Sequence, residues 1–169
     1  MLPDSLRTGE RVRQTIEAYG AMIYRLAYAR TLSRSDAEDV FQEVMLRFIQ
    51  YGEPFESAEH EKAWLIRITC NLSVHVVKSA WRRYAVGMEQ AAAAKAPEEP
   101  SANEDLLQAM ARLAPKYRTP IHLFYFEDMP VEEIAQILAR RPSTVRSQLT
   151  RGREKLKKCL MEGGRDEWT

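Results

Sequence analysis

Residues 130–158 read PVEEIAQILARRPSTVRSQLTRGREKLKK. The first nine place Ile134, Ile137 and Leu138 on one side of a short helix. Pro130 suits a first helical turn, where a missing N–H costs nothing. A break, ARRP, precedes STVRSQLTRGREKLKKCL. There Val145, Leu149 and Leu156 mark a buried side, Arg146, Thr150, Arg153 and Lys157 face elsewhere, and Ser143 is the expected N-cap. Two short helices with a tight turn between them, the second strongly basic, is the layout of a helix-turn-helix.

Residues 140–158 hold eight Lys or Arg against the single Glu154, a net +7 in a chain that sums to +1. A solvated basic helix is the bland explanation of such a run. The pairing of EIAQIL, a short break and STVRSQL favours DNA instead. A recognition helix lies in the major groove with its first residues on base edges. Arg146, Ser147 and Gln148 occupy those first turns, and Arg can pair bidentately with guanine and Gln with adenine. Arg140 and Arg141 precede the helix; Arg151, Arg153, Lys155, Lys157 and Lys158 extend its cationic surface. Phosphates neutralised by such groups add affinity through counterion release without reading sequence.

Working outward, composition describes a globular chain of 169 residues, 45% hydrophobic and 29% charged. No apolar run approaches the roughly 18–20 residues needed to span a bilayer. The start, MLPDSLRTGERVRQ, has no apolar block of a secretory signal. Cys70 and Cys159 have no companions at metal-ligand spacing, and a reduced, cytoplasmic protein is the expectation. His60, His75 and His122 are scattered, and no HExxH, GxSxG, CxxC or phosphate-cradling Gly-rich loop is present. No catalytic set, cofactor, metal or small-molecule substrate is expected, and the chain reads as a non-enzyme.

Almost every segment has helical spacing, so an all-α fold is expected, as two small helical domains joined by a flexible linker. A first helix spans Arg11 to Leu32, with Ile16, Tyr19, Ile23, Leu26 and Ala27 on one side. In SDAEDVFQEVMLRFI, Ser35 and Glu38 form a capping box. Val40, Phe41, Val44, Met45, Phe48 and Ile49 make an apolar stripe, while Asp36, Glu38, Asp39 and Glu43 keep the opening turns acidic. Gly52 and Pro54 break this helix before a third from Glu61 to Tyr84. In that third helix Leu65, Ile68, Leu72 and Val76 share one face, and Asn71, His75, Lys78 and Arg82 share another, with Trp64 and Trp81 near its ends. Amides, cations and flat rings together suit unpaired nucleic acid, although an amphipathic helix with buried tryptophans looks similar. The stretch PEEPSAN reads as an acidic linker. Beyond it Leu106, Leu107, Met110 and Leu113 define a helix ended by Pro115, and Ile121, Leu123, Phe124 and Phe126 lie in the next. The expected domains are 1–84, a linker 85–103, and 104–169.

Taken together, DAEDVFQEVMLRF, WLIRITCNLSVHVVKSAWRR and ARLAPKYRTPIHLFYFEDMPVEEIAQILARRPSTVRSQLTRGREKL resemble three blocks of the extracytoplasmic-function (ECF) class of bacterial RNA polymerase sigma factors. The resemblance implies a polymerase-binding first block (Asp36, Asp39, Val40, Glu43, Phe48) that meets the clamp helices of the largest core subunit. It implies −10 contacts at Asn71, His75, Lys78 and Arg82, with a flipped base captured near Gly52–His60. It implies −35 contacts at Arg141, Ser143, Thr144, Arg146, Ser147, Gln148 and Arg151. It implies promoter DNA and core polymerase as partners, and an anti-sigma factor, commonly membrane-bound. Against the family pattern, His75 stands where Asp or Asn is common, FESAEHE is more acidic, Pro130 replaces a capping Ser, Ser143 a Gly and Gln148 an Arg. A conventional helix-turn-helix regulator with an N-terminal dimerisation or sensing domain is the alternative that the residues leave open.

Overall fold

The computed structural model describes residues 4–85 and 104–163, the side chains of 77–85 excepted. Every regular element among them is helical, in keeping with the all-α expectation. The chain divides into two units, Met1–Ala91 and Ala92–Thr169. Beyond Ala85 the expected linker lies outside the described residues, as do the side chains of Trp81, Lys78 and Arg82.

The N-terminal unit is three helices: α1 (Asp4–Thr31), α2 (Arg34–Tyr51) and α3 (Ala58–Ala85). α1 starts seven residues before the expected Arg11, with Asp4 in its first turn where a carboxylate suits the helix dipole; farther along, the Glu10 and Glu17 carboxylates both pair with Arg13. Its end is sharp. Leu32 takes a left-handed φ of 55°, and its N–H bonds to the Tyr28 carbonyl at 2.8 Å. The cap of α2 is Ser33 rather than Ser35: Ser33 is extended, and its Oγ accepts the Asp36 N–H at 3.3 Å. The two-residue connection leaves Ser35 inside the first turn, so the expected capping box does not form. Gly52, at φ 66°, ends α2 as a left-handed C-cap. α3 begins at Ala58, three residues before the expected Glu61, and Ser57 precedes it with its Oγ accepting the His60 N–H at 3.0 Å.

Ile23, Leu26 and Ala27 of α1, Val40, Val44 and Phe48 of α2, and Leu65 and Ile66 of α3 form the core. Two buried hydroxyls on α3 are satisfied within their own helix, Thr69 on the Leu65 carbonyl and Ser73 on the Thr69 carbonyl. Thr15 donates to Glu61 at 2.8 Å, tying α1 to α3.

The C-terminal unit comprises α4 (Glu104–Arg112), α5 (Pro115–Ile121) running into a π-helical turn His122–Phe126, α6 (Val131–Leu138) and α7 (Pro142–Gly163). Pro115 is not a mere stop; it opens α5 at a first-turn position, with Ala114 as extended N-cap. Pro120 lies inside α5, and the ladder re-forms with wider spacing just after it. Buried Arg118 donates to the Leu113 carbonyl at 2.9 Å and the Ala111 carbonyl at 3.3 Å, satisfying the end of α4. Pro130 is the N-cap residue of α6, one position before the helix.

The α6–α7 turn is a Schellman motif. The Arg140 N–H bonds to the Ala135 carbonyl at 2.9 Å and the Ala139 N–H to the Gln136 carbonyl at 3.3 Å, with Ala139 left-handed at φ 53°. α7 begins at Pro142, so Ser143 sits in its first turn and not at its cap. Val145 and Leu149 are buried against the rest of the unit, and Gly152 faces α5 so closely that a Cβ would lie 2.4 Å from Ile121 Cδ1.

Two substitutions in this unit have opposite expected signs. Gly152→Ala overpacks against Ile121 at a cost of about 1–3 kcal/mol, offset in part by the roughly 1 kcal/mol alanine gains over glycine inside a helix, and destabilises on balance. Ala139→Gly relieves the left-handed conformation and stabilises by about 0.5–1 kcal/mol. Thermal denaturation should lower Tm for the first and raise it for the second.

Candidate nucleic-acid and polymerase interfaces

On α7 the buried side, Val145, Leu149 and Gly152, fixes which residues look outward. Ser143, Thr144, Ser147, Gln148 and Arg151 line one groove of about 290 Å3, joined by Lys116 and Tyr117 of α5. Five of the seven expected −35 residues are thus brought together. Sequence reasoning passed over Lys116, since nothing in the local pattern tells that the start of α5 borders α7.

The remaining two are placed differently. Arg141 is exposed just before α7. Arg146 is turned toward α6, where its Nη2 meets Glu132 Oε1 at 3.2 Å, both side chains well exposed. Such a pair contributes little, roughly 0–1 kcal/mol, and opens readily to a phosphate or base. Gln148 is half-buried, and its Oε1 accepts from Arg140 Nη1 at 2.8 Å. Arg153 leaves the basic surface to donate to Tyr125 Oη at 3.1 Å.

A second groove in this unit, about 500 Å3, is apolar. Leu106, Met110, Ile121, Phe126, Leu156 and Leu160 line it, with Arg153 and Lys157 at its edge.

On α2, Asp36 and Glu43 are half-exposed and Asp39 is exposed, with Glu43 Oε1 accepting from Arg47 Nε at 3.0 Å. Val40 and Phe48 are 1% exposed; they belong to the core and offer no surface to a partner. The outer stripe instead continues through Leu46 and Ile49, 52% and 45% exposed. Ile49, expected on the buried stripe, falls outside it because the 3.6-residue period carries position 49 past the α1 and α3 contacts.

On α3, Asn71 and His75 are exposed one turn apart, as the spacing requires. Trp64 is not an open stacking platform. It packs with Phe48, Tyr51 and Phe55, its ring centroid 5.1 Å from Tyr51 and 5.6 Å from Phe55. Arg11 closes the cluster, its guanidinium 4.8 Å from the Phe48 centroid and 5.6 Å from that of Phe55, with Nη2 donating to the Glu53 carbonyl at 2.8 Å. The 52–57 loop is therefore pinned by a residue 42 positions earlier, a relation no local pattern reveals. Among the described residues no helix is long and apolar enough to cross a membrane.

Known proteins share this arrangement. The sequence pattern described as Sigma-70 region 2 matches residues 15–83, and that described as Sigma-70, region 4 matches residues 103–156. Region 2 followed by region 4 on an all-helical chain is the architecture of a sigma-70-type initiation factor. The ECF RNA polymerase sigma factor SigW of Bacillus subtilis (strain 168) is 29% identical over 87% of this chain and 87% of its own length. The ECF RNA polymerase sigma factor SigE of Mycolicibacterium smegmatis is 29% identical over 87% of this chain, which spans 60% of that relative's length. Among solved structures, the sigma factor RpoE in complex with the anti-sigma factor NepR, from Bartonella quintana, matches with a TM-score of 0.76 at 20% identity, over 88% of this chain and 96% of that one. CnrH, solved in complex with the cytosolic domain of CnrY, matches with a TM-score of 0.64 at 19% identity, over 91% and 90%. The two patterns together take in most of the chain, which belongs to the sigma-70 family of non-enzymatic factors for promoter-specific transcription initiation and is similar over most of its length to ECF members of that family.

Removing Arg11 tests the pinning of the loop. Arg11→Ala deletes one hydrogen bond and the cation–π contacts, together worth about 1–2 kcal/mol. Amide hydrogen exchange in residues 53–57 should quicken by about tenfold, while the α2 core amides keep their protection.

Proposed function

We propose that this chain docks on core RNA polymerase and directs initiation by gripping one promoter at two places. The C-terminal unit holds duplex −35 DNA in the α7 groove through Ser143, Thr144, Ser147, Gln148 and Arg151, with Arg141 and Arg146 at its flanks. The N-terminal unit holds opened −10 DNA on the α3 face of Asn71 and His75, which Lys78 and Arg82 extend along the sequence. The observation that carries this reading is the polar and cationic groove on the outward arc of the second helix of a helix-turn-helix. Unstacking bases costs a few kcal/mol, which binding the extruded bases offsets.

The outer stripe of α2 supports the polymerase assignment. Asp39 and Glu43 beside exposed Leu46 and Ile49 suit a basic, partly apolar helical surface such as the clamp of the largest core subunit. On this reading the domains are a polymerase and −10 unit over 1–84, a linker over 85–103 and a −35 unit over 104–169; the boundary between the two compact units, at Ala91 and Ala92, falls within that linker and supports the division. Because RpoE and CnrH were each solved with an anti-sigma factor or its cytosolic partner domain, an anti-sigma partner that covers these polymerase-facing surfaces is proposed here as well, anchored in the membrane. The place of action is the cytoplasm, where polymerase and promoter meet.

Run-off transcription with purified core polymerase is the direct test. Promoter-specific transcripts should require both core and this chain. Failure to associate with core would overturn the reading; a shift of duplex DNA by a symmetric dimer alone would favour a conventional regulator. Leu46→Asp with Ile49→Asp should weaken core binding by about tenfold or more, as charges placed in an apolar contact do. Arg151→Ala should weaken −35 binding across sequences and lower the salt slope by about 1 if it meets a phosphate.

A further inference from the structure

We propose that Arg140 is a positioning residue that sets which base edge Gln148 reads; the inference rests on the −35 reading above. The Schellman turn fixes Arg140 at the end of α6, its N–H on the Ala135 carbonyl and its side chain aimed across the turn at α7. Arginine has donors only. The 2.8 Å contact from Arg140 Nη1 therefore holds the Gln148 amide with its oxygen toward the guanidinium and its Nε2 donors away from it. The contact is part-buried, so water competes for it weakly.

An unconstrained glutamine reads adenine with both ends, accepting from N6 and donating to N7. Here the accepting end is engaged by a cation. Adenine would have to bring its N6 donor to an oxygen that already holds a charged donor. Gln148 lines the groove, and with its oxygen already shared with a cation, a second donor is less well tolerated there; its stronger offer to a base is the pair of N–H donors. The base edge that matches donors is guanine, whose O6 and N7 both accept; cytosine, with its N4 donor, is the worst match. The position read by Gln148 is therefore a guanine, and it is so because of Arg140. As a free phosphate-binding cation, Arg140 would instead raise affinity for all sequences alike.

Holoenzyme reconstituted with the full chain and challenged with promoter fragments carrying every base at each −35 position tests this. Gln148→Ala should abolish a guanine preference at one position. Arg140→Met, which keeps the aliphatic stem but no donor, should shift the adenine-to-guanine ratio at that same position by about fivefold or more toward adenine. The double substitution should match Gln148→Ala there. If Gln148→Ala leaves every position unchanged, base reading by this residue falls and the proposal with it. If Gln148→Ala acts at one position but Arg140→Met only weakens binding uniformly, the −35 reading stands and the positioning role is overturned. Adenine as the wild-type choice at the Gln148 position also overturns it. Should Arg140→Met lower the unfolding temperature too far for the assay, Gln148→Glu serves instead. It keeps a partner for Arg140 yet presents no donor, so the guanine preference should vanish; its persistence refutes the proposal.

Discussion

The close approach of α7 to α5 at Gly152 is the contact on which the C-terminal unit depends. With no side chain at 152, Ile121 fills the space a Cβ would take, and Tyr117 Cβ lies 3.3 Å from that point. Together with buried Val145 and Leu149, this fixes the rotation of α7 about its own axis. Successive residues differ by about 100° around a helix, so a slip of one position would turn Ser147 and Gln148 away from the groove and carry a different set outward. Recognition chemistry on one side of the helix is a consequence of packing on the other. The α6–α7 turn supplies the second constraint, since two backbone hydrogen bonds and one left-handed alanine set where Pro142 begins the helix.

In the N-terminal unit α2 carries two stripes. Val40, Val44 and Phe48 face inward and hold α1 and α3, while Asp39, Glu43, Leu46 and Ile49 face out. Leu46 and Ile49 add apolar area to a face that also carries carboxylates, and a partner that covered them would gain from their burial. The inner stripe also reaches the loop. Phe48 is at once core and floor of the Phe55–Trp64–Arg11 cluster, so the segment that enters the −10 proposal is built on the same side chain that closes the core.

Much of this was legible in the residues because helices obey a local period. Most core positions of α2 and α7, Ile49 excepted, and the helix-turn-helix follow from i, i+3 and i+4 spacing. Caps were less legible. Ser35 with Glu38 satisfies the capping-box pattern, yet Ser33 caps, because the left-handed Leu32 brings the chain into the helix two residues earlier. Ser143 is a good cap residue placed two positions too late, behind a proline that prefers the first helical position. Val40 and Phe48 illustrate another limit. A resemblance assigns a helix to a partner, but only the packing separates the residues that hold that helix from those that show outward. Lys116 beside α7 and Arg11 over Phe55 depend on contacts between distant segments, which periodicity does not encode.

The charge distribution explains why so basic a helix can sit in a nearly neutral chain. Residues 140–158 hold +7, and residues 86–139, with four Lys or Arg against nine Asp or Glu, hold −5. Ionic screening at physiological salt falls off over about 8 Å. A phosphate within that distance of α7 meets mostly cations; one farther away meets a molecule of small net charge. Long-range steering to DNA is therefore weak and contact attraction strong. Glu132 sharpens the distinction, since its carboxylate holds Arg146 until something more attractive arrives. A chain built this way gains little from wandering onto arbitrary duplex, and its affinity becomes useful when another surface, in the proposal above the outer stripe of α2, has already brought the groove to the promoter. Two weak attachments linked through one chain then act as a strong one through effective concentration.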